Sequence, residues 1–109
     1  GVMGIDGMKP GLHMTHFREA MAAPASLPEF KGNVVAVQTA PYWDDELAAL
    51  QARADKKETL TPEEEKRLKG GVSNGGYHYL GAAKIMAPIG KAFAEAMAKL
   101  QKTQPQEKQ

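Results

Sequence analysis

Cysteine is absent from the 109 residues, which excludes disulfides, a thiol nucleophile and thiolate metal sites and leaves the redox compartment open. An excess of either charge is lacking as well. The 14 basic and 13 acidic side chains leave a formal +1, too little for the electrostatic footprint that nucleic acid or an anionic membrane surface requires. No apolar run approaches the ~20 residues of a membrane span, and the first residues show neither the basic region nor the apolar stretch of a signal peptide. The glycine-rich opening, Gly1-Val2-Met3-Gly4-Ile5-Asp6-Gly7, lacks the lysine followed by serine or threonine that a phosphate loop needs. It reads instead as the end of an apolar strand running into a loop, with Asp6 as a turn residue. A soluble chain is expected, with neither nucleic acid nor membrane among its partners and with no cofactor.

What is present suffices for one modest core: 42% of the residues are hydrophobic and the length fits a single domain. Met14, Phe17 and Met21 share a helical face, so a short helix is expected from His13 until Pro24 stops it. His13 and His16 stand three apart and could share a metal, but no third ligand of matching geometry is evident and no metal site is expected. The run Asn33-Val34-Val35-Ala36-Val37-Gln38-Thr39 reads as a strand covered on both faces, as in a parallel sheet. Its only other candidate neighbour is the stub from Val2 to Ile5. Two strands make a poor sheet, so a missing portion or a partner chain is expected to complete it.

Residues 44–69 read as an inserted helical hairpin, of which the charged section 55–69 is solvated. Asp44 or Asp45 caps a helix that carries Leu47, Leu50 and Ala54 at helical spacing. Thr61 and Glu64 form a capping box around Pro62 at the first helical position, and Gly70-Gly71 ends that second helix. A last helix is expected from near Leu80 to about Leu100, its stripe of Met86, Ile89, Phe93, Met97 and Leu100 packed on the sheet and its Lys91, Glu95 and Lys99 forming an ion-pair ladder in water. Pro88 should kink it. Residues 101–109 are polar, broken by Pro105, and expected to be disordered.

The chemistry concentrates in Ser73-Asn74-Gly75-Gly76-Tyr77-His78-Tyr79-Leu80, a loop that delivers one histidine between two tyrosines to the start of that helix. An imidazole there can take a proton from a hydroxyl nucleophile; equally, it can serve only to bond a nearby carbonyl. Tyr42 and Trp43, in a loop after the predicted strand, can stack on a sugar ring or pack between helices.

The order Phe17-Arg18-Glu19-Ala20, Val34-Val35-Ala36-Val37, Gly76-Tyr77-His78-Tyr79, Gly81-Ala82-Ala83-Lys84 and Ile89-Gly90-Lys91-Ala92 resembles the C-terminal part of the sialate O-acetylesterase family, carbohydrate esterases of the SGNH-hydrolase type. The likeness runs over residues 1–100 with 44–69 as a variable insertion. It implies the C-terminal portion of a flavodoxin-like, three-layer α/β/α fold, an acetylated carbohydrate as substrate, and His78 at the catalytic histidine position. Tyr77, Tyr79 and Trp43 would line the sugar site. Relatives acting on external glycans imply an extracytoplasmic location. The family's Gly-Gln-Ser-Asn type nucleophile block is absent here, and Gly75 stands where the family has an aspartate three residues before the histidine. Such a chain is expected to supply the histidine but not the serine, and to be inactive alone. The alternative is a non-catalytic α/β module that oligomerises through an open sheet edge.

Overall fold

The computed structural model describes residues 12–103. Among them stand four α-helices: α1 (Leu12–Ala22), α2 (Asp45–Asp55), α3 (Pro62–Gly71) and α4 (Ala83–Thr103). Short 3-10 turns occupy Ala23–Ser26, Pro28–Phe30, Ala40–Tyr42 and Gly76–Gly81.

The α/β expectation is overturned: the described residues contain no strand and no sheet, so this is not a flavodoxin-like three-layer fold. Of residues 33–39, expected as the central strand, 34–37 run without regular structure, and Gln38 is the one bridge position among the described residues. The stub predicted from Val2 to Ile5 lies outside the described residues. The reason is physical. A β-branched run fits a pleated, buried surface but becomes a strand only when another backbone meets its N–H and C=O groups.

Local signals hold. Pro24 falls in the 3-10 turn that follows α1. The Asp44 side chain accepts the Leu47 N–H at 3.0 Å and caps α2. Thr61 and Glu64 make the reciprocal capping box, Thr61 Oγ1 accepting from Glu64 N–H at 3.2 Å and Glu64 Oε2 from Thr61 N–H at 2.9 Å. These contacts satisfy amide donors that a helix N-terminus leaves unpaired. Arg53 of α2 donates to Glu64 of α3 at 2.6 Å, and Arg67 of α3 donates to Glu46 of α2 at 2.8 Å, so two ion pairs cross-link the hairpin.

The core is small and sits where α2 meets the start of α4. Leu47, Leu80, Ala82, Ile85 and Ile89 form it, with Tyr42, Trp43, Ala48, Val72 and Tyr79 packed around them. Leu47 and Leu50 of α2 are buried. With no sheet among the described residues to cover it, most of the α4 stripe stays open, Met86, Phe93 and Met97 being 39–56% exposed while Ile89 is buried. Pro88 lies within an unbroken α4. Lys91 and Glu95 approach to 3.8 Å on its wet side. The helix reaches Thr103, so residues 101–103, expected in a disordered tail, are helical.

Candidate functional site

The histidine segment is built by closing residues 73–81 on themselves. The Leu80 carbonyl accepts the N–H of Ser73 at 2.9 Å and of Asn74 at 3.1 Å, and the Gly75 carbonyl accepts the N–H of His78 and of Leu80, both at 3.0 Å. Ser73 Oγ donates to the Gly81 carbonyl at 2.9 Å. Closure forces three consecutive residues into the left-handed region: Tyr79 at φ 54°, Leu80 at 57° and Gly81 at 58°. For each non-glycine residue that conformation costs roughly 1–2 kcal/mol. The Leu80 side chain, 3% exposed, offsets it, since burying a leucine stabilises by about 1.5–3 kcal/mol. Strain anchored by a core contact fixes where His78 stands.

His78 is exposed on this turn, five residues ahead of α4 rather than at its first residue. Its Nδ1 lies 3.0 Å from Asn74 Oδ1. The same Oδ1 accepts the Gly75 N–H at 2.8 Å. An atom faced by a main-chain donor is the amide's acceptor, so Nδ1 must carry a hydrogen and donate it. In the neutral ring Nε2 then holds the lone pair. The Tyr77 ring stands edge-on to the imidazole, centroids 4.5 Å apart, and is 76% exposed.

The other two predicted contact residues form a separate pair. Trp43 and Tyr79 meet edge to face at 6.5 Å and both pack against the core. Trp43 Nε1 is buried with no hydrogen-bond partner among the described residues. Beside Trp43 opens a depression of about 450 Å³, lined by Tyr42, Trp43, Asp44, Asp45, Glu46 and Lys84. Lys84 Nζ donates to Asp44 Oδ2 at 2.7 Å. That bond, followed by the Leu47 N–H, holds the Asp44 carboxyl below the usual aspartate value, and burial opposes the shift.

Sequence reasoning singled out His78 and the aromatic residues Tyr77, Tyr79 and Trp43. It missed the left-handed run at Tyr79 and Leu80 and the reach of Lys84 across to Asp44. Neither has a periodic signature, because each depends on residues brought together by the fold. No group of three potential metal-ligating side chains assembles among the described residues, and the His13 side chain lies outside them. No helix among those residues is long and apolar enough to cross a membrane. Comparison with protein-family models, curated proteins and solved structures found no match to this chain.

Proposed function

We propose that this chain supplies the proton-transfer histidine of a serine-type hydrolase that removes acetyl groups from sugar hydroxyls. The observation that supports the reading is the tethering of His78: Asn74 Oδ1, itself held by the Gly75 N–H, accepts from Nδ1 and leaves Nε2 as the outward base. An asparagine fills this orienting role in Cys-His-Asn hydrolases. The reading requires no sheet within the described residues. The sugar substrate rests on the resemblance and on the aromatic faces of Tyr77, Tyr79 and Trp43, since such rings can stack on sugar C–H groups.

The chain's two serines are Ser26 and Ser73. Ser73 already donates its hydroxyl hydrogen to Gly81, and Ser26 ends the turn that follows α1, so the nucleophile is assigned to another polypeptide segment. In the assembled site that serine oxygen attacks the acetyl carbonyl carbon while Nε2 takes its proton. Collapse of the tetrahedral intermediate expels the sugar oxygen, which receives the proton from Nε2. Water then repeats the cycle on the acyl-serine and releases acetate. Because Asn74 carries no charge, it orients the ring without stabilising the imidazolium as a carboxylate would.

The test is hydrolysis of an acetylated sugar by the parent reading frame that contains this chain, alongside His78→Ala and Asn74→Asp. His78→Ala should remove most turnover with unchanged circular dichroism. Asn74→Asp should raise kcat by supplying the missing charge. Undiminished turnover in His78→Ala would overturn the reading.

A further inference from the structure

The pair Asn74-Gly75 joins a side-chain carboxamide to a main-chain nitrogen that no Cβ shields. In the closed turn the two are held together. The Gly75 N–H meets Asn74 Oδ1 at 2.8 Å, which sets the carboxamide carbon Cγ, one bond further on, in the neighbourhood of the Gly75 nitrogen. Asn74 is exposed, so water and hydroxide reach it. The chain's other asparagine, Asn33, is exposed too, but it is followed by Val34, whose β-branched side chain crowds its nitrogen and whose N–H is bonded to the Phe30 carbonyl at 3.0 Å.

His78 acts on the same atom. Its Nδ1 stands 3.0 Å from Asn74 Oδ1, and as the donor of that pair it draws electrons away from Cγ. An attacking Gly75 nitrogen has already lost its hydrogen, so the Nδ1–H is the donor that stays to steady negative charge arriving on Oδ1. The backbone has room to make the attack. Gly75 lies at φ −71°, and beyond it Gly76 has nothing within 4 Å of a built Cβ, so the Gly75 peptide can turn its nitrogen lone pair onto Cγ.

We infer that Asn74 is a site of spontaneous covalent modification: its side chain deamidates through a cyclic imide with Gly75, and His78 speeds the step by holding Oδ1. Hydroxide takes the Gly75 N–H hydrogen, the nitrogen bonds to Cγ, and the carbonyl electron pair moves to Oδ1. As that pair returns, the Cγ–Nδ2 bond breaks and Nδ2 leaves as ammonia with a proton from water, which restores the hydroxide. Water then adds to one of the two ring carbonyls and breaks its bond to the ring nitrogen. Addition at Cγ leaves aspartate at position 74; addition at the main-chain carbon leaves isoaspartate, whose extra main-chain methylene loosens the turn. The net change is one water consumed and one ammonia released. The aspartate product places a carboxylate opposite Nδ1, as the Asn74→Asp substitution does. The modification does not depend on the hydrolase reading, because it uses only groups within the turn.

The whole chain is incubated at neutral pH and body temperature for days, then digested, and the peptides that carry Asn74 and Asn33 are followed by mass spectrometry for the exchange of NH2 for OH, with a sample taken at time zero as background. Conversion is expected at Asn74 and not at Asn33. It should be about tenfold slower in His78→Ala, the worth of one hydrogen bond. His78→Asn, whose side-chain amide nitrogen takes the place of Nδ1, should recover most of the rate, which a merely structural role of the ring does not predict. Circular dichroism of both variants should match the parent. No conversion at Asn74 beyond that at Asn33 would overturn the proposal. So would equal rates in the parent and His78→Ala, or a His78→Asn rate no faster than that of His78→Ala.

Discussion

Replacing Gly81 by alanine tests the construction of the histidine turn most directly. Gly81 holds φ +58°, a conformation that costs an alanine about 1 kcal/mol more than glycine. Its new Cβ would also fall 3.0 Å from the Asn74 main-chain nitrogen and Cβ, and would collide with Ser73 Oγ. Ser73 can rotate away only by giving up its bond to the Gly81 carbonyl, about 1 kcal/mol, and the Asn74 backbone cannot rotate away at all. Together these come to roughly 2–4 kcal/mol, a fall in Tm of roughly 10–25 °C for a domain of this size. Gly90→Ala is the control with opposite sign: Gly90 lies inside α4 with nothing within 4 Å of a built Cβ, so alanine should stabilise by about 0.5–1 kcal/mol. Urea unfolding followed by the emission of the single tryptophan, Trp43, reads both, because Trp43 packs on Tyr79 in the folded chain. A Gly81→Ala midpoint equal to or above that of the parent would refute the closed turn and, with it, the fixed position of Asn74 beside His78.

Two further outcomes follow from the core and from Asp44. Ile85→Ala, at the fully buried centre of the cluster, should lose about 2–5 kcal/mol, whereas Met97→Ala at 56% exposure should stay within about 0.5 kcal/mol, both read as urea midpoints. Asp44 has a depressed pKa in the folded chain, so its contribution is present above the ordinary value of 3.8 and is lost as pH falls through the lower folded value. Stability measured from pH 7 down to pH 2 should show that loss in the parent protein. It should be missing in Asp44→Asn, which keeps the cap without the charge, while Asp44→Ala also forfeits about 1 kcal/mol of capping at every pH.

The parts legible in the sequence were those whose partners lie within one helical turn. Thr61 meets Glu64 and Asp44 meets Leu47 across three residues, so spacing alone announces the contact. His78 was legible as a presented side chain but not in its setting. The long helix begins at Ala83 because Ser73 and Asn74 draw Leu80 and Gly81 back toward them, bonds that span six to eight residues and leave no period. Tyr79 and Leu80 in left-handed geometry contradict their own propensities, and such an exception to local preference is where function tends to be stored.

The strand expectation failed for a different reason, and α4 shows why. Ile89 and Phe93 sit on one stripe at the same helical spacing, yet Ile89 is 6% exposed and Phe93 is 39% exposed. Periodicity records that a face is suited to burial; it does not say that the cover belongs to the same chain. The same holds for residues 34–37, whose β-branched run calls for neighbours that the described residues do not provide. Both uncovered elements line one groove. Among the described residues, both sequence signals thus leave their demand unmet at one place, at the opposite end of α4 from the core that anchors the histidine turn.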